Sequence, residues 1–175
     1  MGYAEKMAAM KTILILVLEI FLSGAVHAAE PMILTSPDFR PGDYIDRKFT
    51  CQGANTAPRL EFVNIPDEAK TLVLIVHDPD APSGGWTHWV VFNIDPSKFE
   101  INASEFPGTD GKNDFGDKGW GGPCPPSGTH HYVFNGYALD IRLDLKEGAA
   151  RSAIEKAMSG HVLAKAELIA LYEKF

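Results

Sequence analysis

Carboxylates, imidazoles and a phenol fall in three short stretches of this chain: HDPDAPSGGW (77–86), WTHWVVFN (86–93) and GGPCPPSGTHHY (121–132). In the first, Pro79 biases Asp78 toward extended backbone. Residues two apart in an extended chain share a face, so Asp78 and Asp80 are expected to point the same way. Two such carboxylates repel unless each is relieved by a hydrogen bond, a cation or a shared proton. The plainer reading is that they cap turns and accept backbone N–H groups, as Asp beside Pro commonly does. In the second stretch His88 opens an apolar strand between Trp86 and Trp89. It is either a satisfied core residue or a group at the strand mouth that returns toward the aspartates. In the third, the backbone amides of Gly128, Thr129 and His130 could face a concavity and receive an anion, while the prolines hold the loop's shape. A rigid crossover between strands would use the same residues. Neither Ser83 nor Ser127 stands in a recognisable nucleophile and base setting, so no enzymatic activity is expected.

The frame that must position these groups is small. A chain of 175 residues with 45% hydrophobic content can bury one sizeable core and is expected to form one domain. A net charge of −7 and a pI near 5.3 offer no basic face for a nucleic acid. Residues 1–28 read as a secretory signal peptide, with Met10 the more conventional start, an apolar stretch from Thr12 to Leu22, and Val26 and Ala28 before the cut. The stretch is interrupted by Glu19 and falls short of the ~20 residues that span a bilayer. The folded domain would be residues 29–175, with no transmembrane segment, in the periplasm or outside the cell. In such an oxidising compartment Cys51 and Cys124 are candidates for one disulfide, with two buried thiols as the alternative. Their spacing fits no zinc site, and no metal is expected.

Along the mature chain the periodicity is that of strands. TLVLIVH (71–77) and HWVVFNI (88–94) are apolar on both faces, as in a sandwich or a sheet with a helix laid over it. HYVFNGYALDIRLDL (131–145) continues the pattern. Residues 95–128 are rich in Gly, Pro, Asp, Asn and Ser and read as a long surface loop. One helix is expected in GAARSAIEKAMSG (148–160), stopped by Gly160. The tail LAKAELIALYEKF has helical composition, yet Ala166, Leu168, Ala170 and Tyr172 alternate as in a strand.

The segments DPDAPS, WTHWVVFNI and GWGGPCPPSGTHHYVFNGYAL, in this order and at these intervals, closely resemble the phosphatidylethanolamine-binding protein family, in its bacterial Raf-kinase-inhibitor-like branch. The resemblance implies a mainly β fold: a single domain with a large central antiparallel sheet packed on a smaller sheet, a C-terminal helical segment, and a tail after Gly160 that is partly strand. It also implies a small solvent-open pocket for phosphate-like anions and phosphorylethanolamine-type head groups. That pocket would be made by Asp78, Asp80, Pro82, His88, Pro125, Gly128, His130 and Tyr132. The expected function is that of an exported small-ligand-binding protein without a cofactor. An inhibitor of a protease or kinase is the alternative, and a homodimer is left open. The sequence departs from the family pattern at His131, where Arg is usual, at Trp120, where Tyr is usual, and at His77, read as structural because it faces away from Asp78.

Overall fold

Strands β3 (Thr71–Asp78) and β4 (Trp86–Ile94) are buried almost without interruption, so both of their faces need cover. The computed structural model, which describes residues 30–98, 100–101 and 108–174, supplies it from two sides. The expected signal peptide lies outside the described residues. The strands β6 (Thr109–Asp110), β7 (Thr129–Leu139) and β8 (Val162–Glu173) join β3 and β4 in an antiparallel sheet of order β6-β4-β3-β7-β8. A smaller antiparallel sheet has the order β1-β2-β5, made of β1 (Ile33–Thr35), β2 (Leu60–Val63) and β5 (Glu100–Ile101). The expected mainly β architecture is thus observed.

Alternation along each strand sorts the core into two layers. Leu72, Leu74 and Val76 of β3, Trp89 and Val91 of β4, and Tyr132 and Phe134 of β7 pack with Leu34 and Phe62 of the smaller sheet. The intervening residues Val73, Ile75, Val90 and Phe92 pack under Ile154 and Met158 of the helix α1 (Arg151–Met158). A sheet covered by a sheet on one face and a helix on the other explains why these strands show no polar face. The tail is strand from Val162 to Glu173: β8 pairs with β7 along its run, and Ala166, Leu168, Ala170 and Tyr172 are its buried row. Burial of that row overrides the helical propensity of its residues. No helix among the described residues is long and apolar enough to cross a membrane.

Three links and one covalent bond tie the 120–124 segment to the turn around residues 49–55. Trp120 Nε1 donates to Phe49 O (3.0 Å), and Cys51 N donates to Pro123 O (3.1 Å). Gly122 N donates to Asn55 Oδ1 (2.9 Å). Cys51 and Cys124 form a disulfide with Cα atoms 5.5 Å apart across 73 residues of sequence.

Closing so long a loop lowers the entropy of the unfolded chain, and by the loop-length relation that contributes about 4 kcal/mol. The double variant Cys51→Ser/Cys124→Ser should therefore lose a substantial part of that figure in urea unfolding at neutral pH. Between the sheets, a Cβ on Gly136 would lie 2.4 Å from Cε1 of the buried Phe62 ring. Gly136→Ala is expected to cost about 1–3 kcal/mol by overpacking, read as a lowered urea midpoint with an unchanged slope.

Candidate functional site

The large sheet's own alternation brings three polar groups into line. Asp78 continues the row of Leu72, Leu74 and Val76 in β3, and His130 and Tyr132 continue the row of Phe134 in β7. All three therefore stand on the face that meets the smaller sheet, at its open end. His88 arrives by a different route. Val76 pairs with Trp89 and His77 with Thr87, so β4 uses two residues where β3 uses one, and His88 is the unmatched residue of a bulge. A bulge redirects a side chain that strict alternation would send elsewhere. The His88 ring is buried, edge-on to Tyr132 (centroids 5.1 Å apart) and to Phe115 (5.4 Å).

Asp78, His88, His130 and Tyr132 form the polar lining of a cavity of about 310 Å³. Its apolar walls come from Ala81, Pro82, Trp86, Phe115, Pro125 and Pro126, with Ser83 and Cys124 completing it. The hydrogen bonds around it set which atoms remain for a ligand. The Nδ1–H of His130 donates to Asp78 Oδ2 (2.7 Å), and the backbone N–H of Asp80 donates to Asp78 Oδ1 (2.8 Å). His88 Nδ1 donates to the carbonyl of Gly121 (2.5 Å). With both Nδ1 positions engaged, each imidazole has only Nε2 left, a lone-pair acceptor when the ring is neutral and a donor when it is protonated. Burial pushes the His88 pKa down, against the opposing pull of its bond to Gly121 and the nearby Asp78 charge. Tyr132 has its pKa pushed up by burial and then by the Asp78 charge. Its hydroxyl lies near Asp78 and the Cys124 backbone, yet has no hydrogen bond of good geometry among the described residues.

Six of the eight residues named from the sequence line this cavity: Asp78, Pro82, His88, Pro125, His130 and Tyr132. Asp80 and Gly128 do not. β3 ends at Asp78 and the chain turns at once, so the two-residue alternation that would align the aspartates stops between them. The Asp80 carboxylate instead accepts from the backbone N–H (2.8 Å) and the Nδ1–H (2.7 Å) of the exposed His131, which hold its pKa low. His131, at the position of the usual Arg, is thus tied to Asp80. Gly128 sits in an exposed turn at φ +71°. His77 faces the helix side, where burial and then the Arg151 charge lower its pKa.

Ala81, Ser83, Trp86, Phe115, Cys124 and Pro126 also line the cavity and are not among the residues expected there from the sequence. Five of these lie in the three stretches that carry the expected groups. Cys124 was noted only for its pairing. Phe115 lies in the irregular stretch after β6, within the expected loop 95–128 that β5 and β6 interrupt; its signal is an aromatic among turn formers. Among the described residues, no group of three or more His, Cys, Asp or Glu side chains is placed to hold a metal ion.

Residues 35–173 match the family described as phosphatidylethanolamine-binding protein. A UPF0098 protein of Methanothermobacter thermautotrophicus is 46% identical over 150 residues, covering 82% of this chain and 99% of the relative. The crystal structure of the phosphatidylethanolamine-binding protein homologue CT736 from Chlamydia trachomatis superposes with a TM-score of 0.80 at 42% identity, over 83% of this chain and 99% of that one. Escherichia coli YbcL, described as a member of the mammalian family, superposes with a TM-score of 0.77 at 29% identity, over 83% and 100%. The fold, the matched length and these identities together place the chain in the phosphatidylethanolamine-binding protein family.

Proposed function

We propose that this chain is an exported small-ligand-binding protein, periplasmic or secreted, whose cavity takes phosphate-like anions or phosphorylethanolamine-type head groups. The observation that carries the reading is the tethering of both imidazoles by Nδ1, which leaves two Nε2 atoms and the Tyr132 hydroxyl for a ligand. Export draws support from the signal-peptide pattern of residues 1–28 and from a disulfide, a bond that persists in oxidising compartments.

The division of labour follows from protonation. Neutral His88 and His130 present acceptors, which suit an ammonium or an acid that brings its own proton. Protonated, each Nε2–H donates to a phosphate oxygen in a charge-assisted bond. Tyr132 adds an O–H donor, and Asp78 balances an imidazolium. Because burial depresses the His88 pKa, this ring is mostly neutral in the free protein at pH 7. Binding an anion through it takes up a proton, so affinity rises as pH falls.

Inorganic sulfate keeps both charges from pH 7.5 to 5.5 and makes a clean probe. Calorimetry should show it binding about tenfold tighter at the lower pH, the order expected for uptake of one proton over part of that range. His88→Gln should flatten this dependence; an equal slope in both proteins would count against the reading. Tyr132→Phe separates function from stability. Removing a buried hydroxyl that lacks a good partner should leave the urea midpoint unchanged or slightly raised. The same variant should weaken phosphorylethanolamine about three- to tenfold, the size of one neutral hydrogen bond.

A further inference from the structure

The strip Gly121–Cys124 has a cavity on each side. Behind it lies a second hollow of about 220 Å³, which shares Phe115 and Cys124 with the first. We propose that the two cavities are halves of one cleft, and that the second takes the hydroxylated arm of a polyol phosphate whose phosphate lies in the first; this rests on the reading of the first cavity given above.

The polar groups of the second hollow are unlike those of the first. Asn55, at φ +56°, turns its Oδ1 onto the N–H of Gly122, which leaves its Nδ2 donor without a partner among the described residues. The exposed Asp117 carboxylate makes no ion pair among the described residues and is an acceptor. Asn113 is consumed in building the loop: its Nδ2 donates to Gly119 O, and its Oδ1 accepts from the backbone of Phe115 and Asp117. One amide donor beside one carboxylate, with no cation among the lining residues, disfavours a second phosphate. Neutral hydroxyls suit both groups, since a hydroxyl hydrogen can go to Asp117 and a hydroxyl oxygen can accept from Asn55. Phe115 and Trp120 add aromatic surface for the C–H face of such an arm.

The ridge between the halves is thin. A Cβ on Gly121 would fall 2.5 Å from the Phe115 ring, so that ring rests directly on the backbone strip. Phe115 is 46% exposed and touches both hollows. Gly121 also carries the carbonyl that fixes His88, so one peptide borders the second hollow and orients an imidazole of the first. In size, 220 Å³ lies below the roughly 300–1,000 Å³ of ordinary ligand sites, which suits one arm of a ligand rather than a whole one.

The test is calorimetry at pH 6 with inorganic phosphate, phosphorylethanolamine, glycerol 1-phosphate and glucose 6-phosphate. The two polyol phosphates should bind at least tenfold tighter than inorganic phosphate. The double variant Asn55→Asp/Asp117→Ala keeps the acceptor on Gly122 and the net charge, yet removes the amide donor and the Asp117 carboxylate from the second hollow. It should cut the polyol gain to under threefold and leave inorganic phosphate within twofold. In wild type, the Trp120 indole N–H signal should shift with polyol phosphates and stay in place with inorganic phosphate. Polyol phosphates no tighter than phosphate, with an unmoved Trp120 signal, would overturn the bipartite cleft alone. No binding of any phosphate would remove the first-cavity reading and this one together.

Discussion

The site depends on a buried contact between Asp78 and His130, 2.7 Å apart across neighbouring strands and 52 residues of sequence. A carboxylate taken out of water is costly unless its oxygens are bonded, and here each has a partner: an imidazole on one, the Asp80 amide on the other. The second bond shapes the turn that carries Pro82 to the cavity wall. The first settles the tautomer of His130 and so which nitrogen meets a ligand. One hydrogen-bond geometry thereby joins strand β3, the turn after it and the start of β7.

Around this pair, rigidity comes from the sheet and variety from the loops. β3 and β7 lie in the middle of the large sheet with apolar cover on both faces, so the polar groups at their ends are held by packed strands. His88 is added by an extra residue in β4, and its ring is then pinned by the Gly121 carbonyl. That carbonyl is in place because the 120–124 segment is moored to the 49–55 turn by three hydrogen bonds and a disulfide. The apolar walls, Pro125, Pro126 and Phe115 among them, are hung from this moored strip and the loop before it.

Two departures from the family pattern, His131 and Trp120, are held by local contacts. His131 engages Asp80 through both its backbone and its ring, at the surface, where each group stays largely in water. Pairs of this exposure contribute little to stability. Trp120 keeps an aromatic between Phe134 and Trp89 while its indole N–H reaches the Phe49 carbonyl, one of the mooring bonds.

Much of the fold was legible residue by residue. The two-faced apolar runs of β3 and β4 announced a covered sheet, whereas the alternation of Ala166, Leu168, Ala170 and Tyr172 left the tail open between helix and strand, and only the family resemblance favoured the strand that burial imposes. Asp78, His130 and Tyr132 were legible too, because their segments are long and specific and their strands alternate without interruption. What residue order alone determined was therefore whatever burial along a single strand records. Tertiary structure decided the rest: Asp80 turned outward to His131, His88 swung inward by a one-residue slip, Phe115 came from an aperiodic loop, and Cys51 met Cys124. Each of these depends on a register shift or on a contact between segments far apart in the chain, and such contacts leave no periodic trace in either segment by itself.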